Sequence, residues 1–492
     1  MVPLSVAAAL ACLLVLAGCA SLAPRAADSS SAEPGRRPSV ILIVADDLAA
    51  LDLSTYGGSP RSVPTPNLDR LAARGVTFRR GYATASVCSP SRAALMTGQY
   101  QQRHGFEFLT PEGADGGGQG LVADQRVFAS DLKAVGYRTA MIGKWHLGAT
   151  PDRLPTSRGF DRFFGFLSGE TAYARDGTPG LASLAAPYLG TRSFTRNADW
   201  VRLMSDLAGD SEAPRIEPDE TTYLTDLLTR QAVDFIRTSG KDPYYLYLAH
   251  LAPHSPFQAL EADLARFPEI EDPLQRTYAA MIAALDRSVG AILDAVDASG
   301  AGEDTIIVFT ADNGAATYMG VSDCDTIAGG KLSYFEGGAR VPLIISWPRR
   351  WPSGIADARN TSLLDIAPTV LAAAGARSDV AFDGRDLTPL MASGRRGETI
   401  HEVLFWRTGP EYAALSGDLK LLSNTRPGAF PWLFDLGADP RETASLTFQR
   451  RAEAAGLQRR FQEWSRAMKP PAWPAGQVIQ VFQCGRISFH EQ

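Results

Sequence analysis

No run of lysine or arginine marks a nucleic-acid groove in this 492-residue chain, and its formal net charge is −6. With an isoelectric point near 5.7, any recognition of an anion has to be local. The N-terminal apolar run, residues 6–16, is too short to cross a bilayer as a stable helix. Residues 1–5 ahead of it lack the basic side chains with which a secretory signal normally starts. Residues 151–242 hold no chemical motif, so that tract declares no substrate. Cysteine is scarce, five in all, and each can be weighed separately.

What is present is globular in composition, with 45% hydrophobic and 9% aromatic residues. The length exceeds that at which single cores stop growing, which predicts one large domain and one smaller. Leu16-Ala17-Gly18-Cys19 resembles a bacterial lipobox. Residues 1–19 therefore read as a lipoprotein-type signal peptide with Cys19 lipidated, and 20–38, rich in Ala, Ser, Pro and Arg, as a flexible tether. This predicts an extracytoplasmic protein, membrane-anchored through its N-terminal lipid alone and facing the periplasm or the cell surface. An α/β domain is expected over 39–375, and a small C-terminal domain with its tail over 376–492.

Ser39–Ala45 is a continuous apolar run of the kind buried on both faces of a parallel sheet, and it ends in Asp46-Asp47. Open α/β sheets hold their ligands at such strand ends. Residues 305–310 repeat the pattern and lead into Asp312-Asn313. Side by side, the two strands gather three carboxylates and an amide oxygen, a hard-oxygen site for Ca²⁺ or Mg²⁺. Alone, an Asp-Asp pair reads as a solvated turn; clustered acids without a cation would repel.

Residues 85–98 set the Cys88 thiol beside Pro90 at the first turn of a short helix, with the Arg92 guanidinium four residues on. Helix amides there favour an anion. The pattern suits a nucleophile with a negatively charged substrate; a buried cysteine followed by a turn is the plainer alternative. In residues 137–148 a strand runs into Lys144 and His146, two apart and so pointing the same way if extended. Tyr244–Ala249 delivers His250 and then His254, which lies between Pro253 and Pro256 in a backbone fixed on both sides. Gly329-Gly330 frees the backbone ahead of Lys331 to bring an ammonium close to an anion.

Taken with its neighbours, Cys88-x-Pro90-Ser91-Arg92-x-x-Leu95-x-Thr97-Gly98 resembles the signature of the type I sulfatases, a branch of the alkaline phosphatase superfamily. Gly143-Lys144-Trp145-His146-Leu147-Gly148, Pro253-His254-Ser255-Pro256 and Gly329-Gly330-Lys331 resemble three further hallmarks, and the likeness runs from about 39 to 446. It implies a large sulfatase/alkaline-phosphatase-like α/β domain, its mostly parallel central sheet flanked by helices, and a small C-terminal α+β domain with an antiparallel sheet. Cys88 would be converted to formylglycine by a formylglycine-generating enzyme, and its hydrate would attack sulfur. Asp46, Asp47, Asp312 and Asn313, with residue 88, match the family's calcium ligands, Mg²⁺ being possible. Arg92, Lys144, His146, His254 and Lys331 match its catalytic residues, while His250 is left to packing. The implied activity is hydrolysis of a sulfate ester on a saccharide or a small aryl molecule. The alternatives are phosphonate or phosphate ester hydrolysis, and a non-catalytic lipid-anchored binding protein. With Cys12 in the signal, Cys324 and Cys484 remain, either as a disulfide or as two free thiols.

Elsewhere a capped helix is expected over 65–75, starting on Thr65, and a long amphipathic one over 278–296. Glu336 and Arg340 are expected to form an ion pair. Residues 101–120 read as a mobile, Gly-rich rim loop. Short strands at 403–407, 412–415, 419–422 and 432–436, with a helix over 449–468, suit the C-terminal sheet.

Overall fold

The run Ser39–Ala45 has every residue buried, as an apolar strand with neighbours on both sides and both faces must. This is β1, at the middle of a nine-stranded sheet. The chain adds β2 (Val76–Tyr82), β3 (Arg138–Lys144), β4 (Arg162–Phe166), β5 (Tyr244–Ala249), β6 (Thr305–Ala311), β7 (Arg340–Val341), β8 (Leu343–Ser346) and β9 (Ile355–Ser362). Their spatial order is β7-β2-β8-β6-β1-β5-β3-β4, with β9 paired to β2. The β6-β1-β5-β3-β4 core is parallel, whereas β8 runs antiparallel to β6 and β2. The computed structural model describes residues 37–491 except 111–117, 123, 175–176, 185–202, 205–214, 217–221 and 393–396. The expected signal, Cys19 and nearly all of the tether lie outside the described residues. Among the described residues no helix is long and apolar enough to cross a membrane.

Register is what builds the site. Ala45 pairs with Ala311, Val44 with Ala249, and Ala249 with Gly143. Asp46-Asp47, Asp312-Asn313, His250 and Lys144 therefore leave the sheet at the same edge, each within a residue or two of its strand's end. Gly143 has φ +109°, and a Cβ there would lie 1.9 Å from the Ala249 carbonyl oxygen. Only glycine lets β3 pack this closely on β5 immediately before Lys144.

Helices α1 (Pro66–Ala73), α2 (Cys88–Thr97) and α3 (Pro273–Ala298) pack around this sheet. Thr65 does not cap α1 with its side chain. The α1 amides of Asn67 and Leu68 instead donate to the Asp286 carboxylate on α3, at 3.1 and 2.8 Å. A carboxylate at a helix N-terminus satisfies two orphan donors and the dipole together, so it displaces the hydroxyl.

The C-terminal sheet is antiparallel, β10 (Leu404–Thr408) to β13 (Trp432–Asp435) through β11 (Glu411–Ser416) and β12 (Leu419–Asn424). Helix α4 (Arg451–Arg466) covers it, with Phe461 stacked 3.9 Å from Tyr412. A further hairpin, β14 (Val478–Gln483) and β15 (Arg486–Glu491), closes the chain. It is tied back by a Cys324–Cys484 disulfide, the first of the two alternatives for these thiols.

Two further expectations are corrected. Of the rim loop expected over 101–120, residues 111–117 lie outside the described residues and 101–110 are packed, not a mobile rim. Gln101, Gln102 and Glu107 are buried, and Glu107 pairs with Arg407 of β10 at 2.8 Å. Gly105 and Gln102 carbonyls accept amides of Ala472 and Lys469, at 2.8 and 3.0 Å. The partner of Glu336 is Lys420 of β12, at 2.8 Å, and not Arg340; Lys420 also reaches Glu442 at 3.2 Å. All three side chains are nearly or wholly buried, and the cation comes from an element 84 residues away. Replacing it strands two buried carboxylates. Lys420→Met is expected to destabilise the protein by about 3–5 kcal/mol, read as a lowered denaturant midpoint with the slope unchanged.

Candidate active site

Cys88 is the first residue of α2, preceded by extended Val87, and is 2% exposed. Arg92, one turn on, points the same way. The Cys88 thiol donates to Asp46 Oδ1 at 3.2 Å and lies 4.0 Å from Asp47 Oδ1. Burial, and then the Asp46 charge, push its pKa well above that of an ordinary thiol. A thiolate is therefore disfavoured at this position.

Around it, charges are interleaved. Arg92 Nε donates to Asp312 Oδ2 at 2.8 Å, and its Nη1 donates to the Lys144 carbonyl at 2.9 Å. Its Nη2 lies 3.4 Å from Asp46 Oδ2. Lys144 Nζ is ion-paired with the same Asp46 carboxylate. Lys331 Nζ donates to Asp47 Oδ2 at 2.9 Å. Three carboxylates thus face three cations in a largely buried cluster. Burial raises Asp46, but Lys144, His254, Arg92 and Lys331 outweigh it and hold the carboxyl well below its usual range. Asp312 goes the other way, pushed up to about 6 by burial and by Asp46. The cluster is short of positive charge at that point.

The two histidines are held differently. His254 Nδ1 is 2.6 Å from the Ser255 carbonyl, which can only accept, so Nδ1 carries the proton. Nε2 is left as an acceptor, 3.1 Å from Lys331 Nζ. Burial and then Lys331 lower the His254 pKa to about 4, so the ring is neutral. Tyr173 donates its hydroxyl to the His254 carbonyl at 2.9 Å. His146 has a positive φ of +56°. Its Nδ1 is buried without a hydrogen-bond partner, and burial and Lys144 keep the ring neutral. Gly169 gives it room: a Cβ there would come within 2.7 Å of the imidazole. His250 is apart from this group, its Nε2 against Ser288 of α3 at 2.9 Å.

The site residues expected from sequence therefore converge, and His254 stands among the acids. Asp46, Asp47, Cys88 and His254 each offer a ligand atom within 4.8 Å of the others. Asn313 Nδ2 donates to Asp47 Oδ1 at 2.7 Å, while its Oδ1 is buried without a partner. Asp312 Oδ1 is 3.3 Å from the Asp47 amide. Three carboxylates and an unpartnered amide oxygen are a hard donor set, and they fit a divalent cation such as Ca²⁺ or Mg²⁺. Tyr173 and Gly169 are site residues with no signal in the sequence, since they lie in the tract without motifs and act through a backbone carbonyl and an absent side chain.

Residues 38–376 match the family model Sulfatase. N-acetylgalactosamine-6-sulfatase of Canis lupus familiaris is 31% identical, covering 91% of this chain and 87% of its own length. Steryl-sulfatase of Mus musculus is 34% identical, covering 77% and 69% respectively. The crystal structure of Ps i-CgsB in complex with k-i-k-neocarrahexaose superposes with a TM-score of 0.77 at 32% identity, over 89% of this chain and 94% of that one. The chain belongs to the sulfatase family, within the alkaline phosphatase-like superfamily, and is an enzyme that hydrolyses sulfate esters.

Proposed function

We propose that this sulfatase removes sulfate from sulfated carbohydrate, using formylglycine in place of Cys88 and a divalent cation held by Asp46, Asp47, Asp312, Asn313 and residue 88. The observation that carries the chemistry is the convergence on position 88: Cys88 opens α2 with its side chain against Asp46 and Asp47, whose other oxygens are held by Lys144 and Lys331, so conversion places an attacking hydroxyl among the acids and the cations. When present, the hydrated aldehyde supplies an attacking hydroxyl and a second geminal one, and the cation supplies Lewis acidity.

The chain's own residues do the rest. Arg92 is fully buried against Asp312 and Asp46, so it fixes the carboxylates and contributes charge from behind them. Lys144 and Lys331 offset charge on the sulfuryl oxygens, where preorganised donors in a dry site are most effective. The departing alcohol oxygen takes a proton from the Lys331 ammonium, directly or through His254 Nε2, whose tautomer leaves that nitrogen open. His146, neutral and with Nδ1 free, takes a proton as sulfate leaves. With three acids balanced by three bases, a bound dication makes the site net positive, which suits a sulfate monoester.

The substrate class is supported by the carbohydrate in the 32%-identical neighbour and by the name of the N-acetylgalactosamine-6-sulfatase relative. Arylsulfatase A of Bos taurus, 33% identical, makes aryl sulfates the second class to test. The Leu16-Ala17-Gly18-Cys19 string supports a lipid anchor at Cys19 facing the periplasm or cell surface, where polymers are met, and maturation needs a formylglycine-generating enzyme.

Sulfate release from sulfated oligosaccharides should exceed, in kcat/KM, hydrolysis of a phosphonate monoester with a matched leaving group; the opposite ranking would contradict the proposal. Chelation should abolish activity and added Ca²⁺ or Mg²⁺ restore it, with Asn313→Ala needing more metal for half activation. Lys331→Ala and His254→Ala are each expected to lower kcat by about 10²–10⁴-fold in steady-state assays.

A further inference from the structure

Lys331 is held on an unusual backbone. It follows Gly330, where a Cβ would lie 2.1 Å from Thr317 Oγ1. It precedes Leu332, which has φ +71°, a left-handed conformation that a leucine keeps only when its surroundings impose it. The Lys331 amide donates to the Ala315 carbonyl at 2.8 Å, and the Leu332 amide to the Ser86 carbonyl at 3.0 Å, two residues before Cys88. Those bonds fix the amide side of the turn. The carbonyl side is closed by the C-terminal hairpin.

Gln483, the last residue of β14, is 2% exposed. Its Nε2 donates to the Lys331 carbonyl at 3.1 Å and approaches the Gly330 carbonyl at 3.5 Å. Its Oε1 accepts from Thr317 Oγ1 at 2.8 Å. Because carbonyls only accept, the amide's orientation is determined. The next residue, Cys484, is bonded to Cys324, seven residues before Lys331, so both ends of this contact are anchored to one stretch of chain. Apolar packing adds to it: Val481 of β14 clusters with Leu332, Ala85 and Val87, the last adjoining Cys88.

We propose that Gln483, presented by the disulfide-tied hairpin, is a positioning residue for Lys331: it holds the strained Gly330–Leu332 turn so that the ammonium reaches Asp47 and His254. This rests on the role given to Lys331 above. Gln483 touches no reacting atom; it acts through the backbone of the residue that does. Loss of its amide takes the donor from the Lys331 carbonyl, whereas the Gly330 carbonyl keeps Ser333 and the Thr317 hydroxyl keeps the Gly329 carbonyl, so the turn relaxes at Lys331 itself. A displacement of about 1 Å at a catalytic group costs on the order of 10²-fold.

The test is a double-mutant cycle on full-length, formylglycine-bearing protein, with kcat, KM and thermal midpoint measured for Gln483→Leu, Lys331→Ala and both together. Gln483→Leu is expected to lower kcat about 10- to 100-fold with KM little changed. In the Lys331→Ala background the same substitution should cost less than about threefold, since interacting residues are not additive. Gln483→Glu, which keeps the acceptor for Thr317 but has no amide donor, should resemble Gln483→Leu. Thr317→Val gives a second, milder variant should Gln483→Leu fold poorly. Equal losses in both backgrounds, or a folded Gln483→Leu with unchanged kcat, overturn the proposal. If the unsubstituted protein releases no sulfate from any ester, the functional reading itself has failed, which is a separate outcome.

Discussion

The structure depends on burying like charges together without leaving them unbalanced. Asp46, Asp47 and Asp312 emerge at one end of the sheet because β1 and β6 are in register, and ionised carboxylates at such distances repel unless each is paired. Arg92, Lys144 and Lys331 supply the pairing, and each comes from a different part of the chain. Removing one partner from such a set leaves a buried charge whose desolvation is no longer offset. That constraint explains why the elements bearing these cations are themselves held so firmly: α2 by its buried faces, β3 by the glycine contact with β5, and the Lys331 turn by the tail.

The same arrangement separates structural from chemical work. Arg92 is wholly enclosed, its Nε given to Asp312 and its Nη1 to the Lys144 carbonyl, so it orders the acids, while its Nη2 is left without a hydrogen bond. Lys331 and His254 share a hydrogen bond of 3.1 Å next to Asp47, where a proton can move with little rearrangement. His146 is held apart, with an unpartnered nitrogen. Lys420 of the C-terminal sheet completes a second buried charge group, Glu336–Lys420–Glu442, in which Glu336 lies shortly after the Lys331 turn in sequence. The C-terminal sheet is thus tied to the chain around Tyr82 and Glu336 by charge as well as by apolar packing.

Much of this was legible in the sequence because the information is local. An unbroken apolar run announced β1, β5 and β6 and so placed the acids at strand ends, whereas Cys88, Lys144, His254 and Lys331 were picked out by short motifs that resemble the sulfatase hallmarks. What was not legible depends on partners distant in the chain. Asp286 replaces Thr65 as the α1 cap across 219 residues, and Lys420 takes the place of Arg340 beside Glu336. Residues 101–120 looked polar and glycine-rich, yet in 101–110 the polar groups are spent on Arg407 and the chain near 469–472. The terminal hairpin follows a proline-rich stretch and has no apolar alternation strong enough to announce it. Its disulfide required a distance that no sequence contains. Tyr173 and Gly169 escaped because one acts through a carbonyl and the other through the lack of a side chain.

The central claim is that position 88 acts as an aldehyde hydrate and not as a thiol. Mass determination on the tryptic peptide of residues 81–92, from protein made in a host competent for formylglycine formation, tests it most directly. The account predicts the mass of the aldehyde or its hydrate at Cys88. A peptide that retains the thiol, while a control sulfatase is converted in the same cells, would contradict it.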